Sequence, residues 1–253
     1  MSFPPDSPLV ARVVASPNHE TRHGVAQPDI LLLHYTGMNT TQGALERLCD
    51  PAARVSSHYL VFEDGRILQL VPESERAFHA GESSWEGTRD INSRSIGIEI
   101  GNQGHDEGCP EFPDVQIEAV IALTRDILAR RTIAPFRVLA HSDVAPARKR
   151  DPGERFPWAR LAAAGVGVWI EPEPVAPGSA LRPGDRGAQV AELQRALADY
   201  GYGVAPSGLY DAATEEVVTA FQRHFRPARV DGIADTSTTA TLKKLLARRA
   251  ASA

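Results

Sequence analysis

The chain has 253 residues, 42% hydrophobic and 23% charged, with a formal charge of −5. That size suits one or two domains whose cores need no covalent staples, and the acidic balance excludes a nucleic-acid binder that works through bulk positive charge. Two cysteines, Cys49 and Cys109, exclude a disulfide-built scaffold, and no apolar run reaches the roughly eighteen residues of a membrane span.

The N-terminus, Met1 to Asp6, has neither a cationic start nor an apolar stretch behind it. No signal peptide is expected, so the expected compartment is the cytoplasm, with the periplasm as the alternative if the N-terminus has been trimmed. Asp29 to Thr36 is a short apolar run that predicts a buried strand running out into polar residues at His34. Thr40 to Cys49 predicts a short helix with Ala44, Leu45 and Leu48 on its apolar side. Ser57–Phe62 and Arg66–Val71 flank Asp64-Gly65, a hairpin signal. Ser95 to Ile100 predicts a strand with Ile96, Ile98 and Ile100 on one face and Gly97 and Glu99 on the other. Asp114 to Arg131 keeps helical period through Ile117, Val120, Ile127 and Leu128, with Asp114 as the expected N-cap. Arg137 to His141 predicts a further strand. Strands and helices intermix and one strand pair is antiparallel, so the expected fold is α/β, a mixed central sheet with flanking helices.

Glu171 to Ala180, with three prolines, predicts a semi-stiff linker. It divides residues 1–170 from residues 181–250, which read as a small all-α domain of three helices over Ala188–Asp199, Ala213–Phe225 and Thr238–Arg248. Gly208 to Thr214 and Gly232 to Thr238 share the pattern Gly-apolar-x-Asp-x-x-Thr. In each, the Gly supplies a turn and the Asp is expected to cap the following helix.

Among the eight histidines, His19, His23, His105 and His224 sit in surface-like contexts. His34 and His141 each end an apolar strand, which places their rings at a sheet edge where ligand sites form. His58, within a strand, and His79, in a loop, lie between these cases; any one of the four taken alone reads as a hydrogen-bonded structural histidine. Glu99 interrupts an apolar strand and faces either solvent or a cleft. In a cleft its pKa would rise and it could act as a general base. Two histidines and one carboxylate make a catalytic metal set with a position open for water. The spacing does not choose the third ligand, so the residues alone indicate a metal or acid–base site around His34, His141 and a carboxylate.

At these residues the sequence resembles the zinc N-acetylmuramoyl-L-alanine amidases of the type-2 amidase and peptidoglycan-recognition-protein fold. The matching stretches, in family order, are Leu33–Thr36, Val55–Tyr59, Ala77–Gly81, Asn92 with Ser95–Glu99, and Ala140–Asp143 through Arg148–Gly153. Residues 181 onward resemble the helical peptidoglycan-binding domain, an order closest to the AmiD-like branch, whose relatives include the AmpD-like recycling amidases. The resemblance implies one zinc ion on His34, His141 and Asp151, with Glu99 as catalytic base and Lys149 as an oxyanion-stabilising cation. It also implies substrate contacts at Tyr35, Arg54, His79 and Asn92, and a cleft-bordering or structural place for Trp85. The implied reaction is cleavage between N-acetylmuramic acid, intact or 1,6-anhydro, and L-alanine. The partner is peptidoglycan or a muropeptide, with no nucleic acid and no membrane span. A non-catalytic peptidoglycan receptor is the alternative, and filled ligand positions argue against it. For the helical domain, the alternative to wall binding is packing on the first domain.

Overall fold

A computed structural model describes residues 3–252. Its first part is built from β1 (Arg12–Val13), β2 (His19–Thr21), β3 (Ile30–Tyr35), α1 (Thr41–Cys49), β4 (Tyr59–Val61), β5 (Ile67–Gln69), β6 (Glu75–Ala77), α2 (Ile91–Arg94) and β7 (Ser95–Ile100). There follow α3 (Asp114–Arg130), β8 (Val138–Ala140), α4 (His141–Val144) and α5 (Trp158–Ala163). The rest comprises β9 (Ala180–Leu181), α6 (Ala188–Tyr200), α7 (Ala212–Phe225), β10 (Ala234–Asp235) and α8 (Thr236–Ala250).

The main sheet has the order β1-β5-β4-β7-β3-β8. The expected Asp64-Gly65 hairpin joins β4 and β5 antiparallel, while β4, β7, β3 and β8 run parallel to one another. The fold is therefore the mixed α/β sheet with flanking helices that the pattern predicts. Period-two alternation decides which layer each side chain meets. Leu31, Leu33, Ile96, Ile98 and Val138 pack with Ile117, Val120, Leu123 and Ile127 of α3. Ile30, Leu32 and Leu139, pointing the other way, join the core of the three C-terminal helices. On that same second face α1 sets Leu45 and Leu48 against Leu60 and Leu68 of the hairpin. The strip between α1 and the C-terminal helices is where His34 and Glu99 emerge.

Two local expectations change. Pro113, not Asp114, is the N-cap of α3; Asp114 is its first helical residue and pairs with Arg160. Its charge still meets the positive end of the helix from there. The strand before His141 stops at Ala140, and His141 opens α4. The cause is Asp143, whose Oδ2 accepts the Ala140 N–H at 2.8 Å and turns the chain into the helix.

The C-terminal part is the expected three-helix unit, with a two-residue antiparallel pair, β9 and β10, beside it. The repeated Asp caps form as predicted: Asp211 accepts from the N–H of Thr214 and Asp235 from that of Thr238. Each repeat also holds a buried glutamine that the sequence pattern did not single out. Gln194 bridges Gly208, Leu209 and Thr214, and Gln222 bridges Gly232, Ile233 and Thr238. The Pro-rich segment lies against α8, with the Glu173 carbonyl accepting from Ser237 and its carboxylate pairing with Lys244.

The two parts share one core. Trp85, 1% exposed, sits edge-on to Tyr200 and Tyr202. Gly201 has φ +135°, and a Cβ there would lie 2.6 Å from the Trp85 ring, so glycine is required for this approach. Trp85 is thus a packing residue. Glu86 beside it binds both Arg137 and Arg249, tying the sheet to α8.

Candidate active site

Three parallel strands bring the chemistry to one edge, because the carboxyl ends of neighbouring parallel strands must coincide. His34 near the end of β3 is the register partner of Glu99 on β7. Leu33 pairs with Ala140 of β8, so His141 follows one step beyond. Asp151 arrives on the loop after α4, where its carbonyl accepts the Ser142 N–H at 3.0 Å.

His34 Nδ1, His141 Nδ1 and Asp151 Oδ2 form a buried triangle with edges of 2.9, 3.1 and 3.0 Å. The outer hydrogen bonds show what these three atoms are. His141 Nε2 lies 3.0 Å from the Ala80 carbonyl, which can only accept, so the imidazole proton is on Nε2 and Nδ1 is a lone pair. Ser95 gives its hydroxyl proton to the Ile91 carbonyl at 2.6 Å and accepts from His79 Nε2. His79 Nδ1 is then an acceptor, so His34 donates to it from Nε2 at 3.0 Å and also keeps a lone pair on Nδ1. Two imidazole lone pairs and a carboxylate oxygen converge without a proton to share. Only a cation reconciles them, and the donor set suits a divalent metal ion.

The electrostatics agree. Burial, then the nearness of His141, lowers His34 to about 4, which leaves it a neutral ligand at pH 7. Glu99 is raised well above an ordinary carboxylic acid by burial and then by the charge of Asp151, with Lys149 opposing. Its Oε2 is buried with no hydrogen-bond partner among the described residues. A cation held in the triangle would offset Asp151 and favour the ionised form of Glu99.

The triangle opens into a cleft of about 440 Å³, lined among others by Tyr35, Arg47, His79, Glu99, Gln103, His105 and Lys149. An adjoining groove of about 410 Å³ is lined by Arg54, Arg76, Asn92 and Lys149. The residues expected at the site lie at the triangle, in the cleft or in the adjoining groove. Their roles differ in kind. His79 reaches the site by supporting His34, and it fits because β7 has Gly97 there: a Cβ would lie 2.5 Å from the imidazole. Asn92 Oδ1 accepts from the N–H groups of His79 and Ala80, fixing the loop that orients both metal-site histidines. Tyr35 donates or accepts through its hydroxyl with His105 Nδ1 at 2.8 Å, and burial pushes it up to about 12. Arg54 lies on the groove with φ +52°. His58 is structural: buried, lowered to about 3 by that burial and the nearby Arg22, and held by the Gly97 N–H and the Glu75 carbonyl.

Two histidines expected at the surface are not there. His105 is held between Tyr35 and Glu154, with Glu154 Oε2 at 2.9 Å from Nε2. His224 is 2% exposed and lies 2.7 Å from Asp143 Oδ2. Their partners are distant in sequence, so local composition carried no sign of them; Asp143, within the His-Ser-Asp stretch, was the nearest clue.

A family model described as N-acetylmuramoyl-L-alanine amidase matches residues 24–154, and one for a peptidoglycan binding domain matches residues 186–242. The chain is 42% identical over 229 residues to N-acetylmuramoyl-L-alanine amidase AmiD of Escherichia coli, covering 86% of this chain and 82% of that protein. The chain belongs to the N-acetylmuramoyl-L-alanine amidase family. The solved complex of E. coli AmiD with anhydro-N-acetylmuramic acid-L-Ala-D-γ-Glu-L-Lys superposes with a TM-score of 0.75 at 38% identity, covering 91% of this chain and 98% of that one. AmpDh3 of Pseudomonas aeruginosa, in complex with an anhydromuramic pentapeptide, gives a TM-score of 0.73 at 30% identity over 93% of this chain and 98% of that one. The amidase is therefore an enzyme, and the receptor alternative falls away.

Proposed function

We propose that this amidase hydrolyses the amide between N-acetylmuramic acid, including its 1,6-anhydro form, and L-alanine in muropeptides, using one zinc ion on His34, His141 and Asp151. The observation that carries this reading is the triangle of three unprotonated donors opening into the cleft beside the unpartnered Glu99 carboxyl oxygen. Zinc so held would lower the pKa of a bound water to around 7 and polarise the scissile carbonyl.

The chain's own groups supply the rest. Glu99, as carboxylate, takes the proton of the attacking water and delivers it to the amine nitrogen of L-alanine as the C–N bond breaks. Lys149, close enough to bias both Glu99 and His34, balances negative charge that develops on the carbonyl oxygen. On the rim, Arg76 and Arg150 are engaged by Glu20, Asp90 and Asp106. Arg54 and Lys149 line the groove as cations for the carboxylates of the stem peptide. That basic rim on a chain of net charge −5 suits a small anionic glycopeptide. Residues 1–170 would carry catalysis, residues 171–180 the connection, and residues 181–250 contact with wall glycopeptide.

The test is Glu99→Ala. Removing a general base typically costs about 10²- to 10⁴-fold in rate. The variant should retain stoichiometric zinc by elemental analysis while release of stem peptide from an anhydro-muropeptide falls by that factor. Near-normal turnover in the zinc-loaded variant would sink the assignment.

A further inference from the structure

The C-terminal unit does more than adjoin the site. Asp143 is completely buried, and its carboxylate takes three hydrogen bonds, only one from its own domain. Oδ2 accepts from the Ala140 N–H at 2.8 Å and from His224 Nδ1 at 2.7 Å, and Oδ1 accepts from the Tyr202 hydroxyl at 2.6 Å. His224 is clamped between Trp158 at 3.7 Å and Phe225 at 3.8 Å, so its ring cannot swing away. Asp143 in turn belongs to α4, a helix of four residues that begins with His141. A helix so short has almost no stability of its own and takes its orientation from whatever holds it.

The residue before His224 makes a second approach. Arg223 Nε lies 3.7 Å from Glu154, Glu154 lies 2.9 Å from His105, and His105 lies 2.8 Å from the Tyr35 hydroxyl. Tyr35 directly follows His34 in the chain, Asp143 is two positions after His141, and Glu154 is three after Asp151. The last turn of α7 is therefore connected to the segment behind every one of the three metal donors. Wall binding alone would require none of this.

We propose that the C-terminal unit is a positioning element of the metal site, with Tyr202 and His224 acting through Asp143 on His141, and Arg223 acting through Glu154 and His105 on the segments of Asp151 and His34. The proposal rests on the zinc amidase reading above. Its physical basis is that outer partners fix the direction of a metal donor's lone pair, and losing them usually costs about 10- to 100-fold in metal affinity.

The test uses the full chain and point variants. Zinc affinity is measured by competition with a chromophoric chelator. In parallel, kcat and KM are measured on soluble anhydro-N-acetylmuramyl tripeptide, with near-UV circular dichroism reporting the folded fraction. Tyr202→Phe/His224→Phe keeps the ring stacking and removes both donors. It should bind zinc about 10- to 100-fold more weakly and lose kcat with KM unchanged. His224→Asn, which returns an N–H near the Nδ1 position, should recover most of the affinity lost in His224→Phe. A role limited to packing would lower thermal stability and leave the zinc affinity of the folded protein untouched. Wild-type zinc affinity in the folded double variant would overturn the proposal, as would equal losses in His224→Asn and His224→Phe. If the double variant does not fold, Tyr202→Phe decides alone, since it deletes one oxygen and retains the packing; it should weaken zinc about tenfold, and an unchanged affinity would overturn the proposal. Wild-type protein that neither binds zinc nor cleaves the tripeptide would overturn the amidase-site reading together with this one, a result visible before any variant is made.

Discussion

At the scale of single residues, the site turns on which nitrogen of each histidine is free. His34 presents Nδ1 because it donates its Nε2 proton in a hydrogen bond to His79, which Ser95 holds in the accepting tautomer and Gly97 leaves room for beside β7. Removing His79 should therefore act on the metal before it acts on substrate. His79→Ala is expected to weaken zinc binding about 10- to 100-fold, with activity largely restored at saturating zinc; chelator competition followed by assays across a zinc series would check both. Activity lost at every zinc concentration with unchanged metal affinity would instead make His79 a substrate contact. His34, His141 and Glu99 could be picked out from sequence because each is a polar residue within or just after an apolar strand run: His34 near the end of β3, His141 directly after β8, and Glu99 inside β7. Asp151 could not: it stands on a loop between Arg150 and Pro152, where a carboxylate has no pattern to violate, and only resemblance to the family pointed to it. His105 and His224 escaped for the related reason that a residue looks exposed in sequence whenever its partner comes from a distant segment.

At the scale of elements, long periodic segments such as α3 and β3 were legible because one face of each is continuously buried, whereas α4 was hidden because a four-residue helix has no period. One carboxylate does much to hold α3 to the hairpin. Glu73 is fully buried and accepts from Tyr59 on β4 at 2.7 Å and from Arg130 and Arg131 at the end of α3 at 2.8 Å each. Burial would raise its pKa, but the hydrogen bonds from Arg130, Tyr59 and Arg131 outweigh that and leave it lowered. A carboxyl group with a lower pKa folded than unfolded contributes its full stability above the unfolded value, about 4.3, and loses it as pH falls through the folded value. Glu73→Ala leaves the buried Tyr59 phenol without its acceptor and Arg130 and Arg131 with only Asp126 and Gln27 among the described residues, and should cost about 2–4 kcal/mol at pH 7. Urea titrations at pH 7 and at steps below pH 4 would test this. The wild type should lose stability on acidification, and the variant should start lower and lose less. Parallel acid curves would mean that Glu73 is not the responsible group.

At the scale of the whole molecule, the Pro-rich segment reads as a linker between two independent parts, yet the sheet and the three-helix unit on its two sides share a core. Tyr200, Tyr202 and Phe225 of the helical unit share one cluster with Trp85, Ile30, Leu32 and Leu139 of the first part. Around that cluster Glu86 joins Arg137 and Arg249, and Asp143 joins Tyr202 and His224. A core continuous across both parts, with buried polar contacts bridging it, should melt as one unit, because neither half can open without exposing the other's apolar surface. Metal removal should then move the entire transition. An ion held at one hundred times its dissociation constant adds about 2.7 kcal/mol to the native state, which in a chain of this size corresponds to roughly 5–10 °C. Calorimetry should show a single endotherm that falls by about that amount on chelation and returns when zinc is restored. Tyrosine signals from the C-terminal unit should shift in step with tryptophan signals from the first part. Two endotherms, only one of them sensitive to chelation, would mean that the helical unit folds and melts independently of the metal site and that the shared core couples them too weakly to matter.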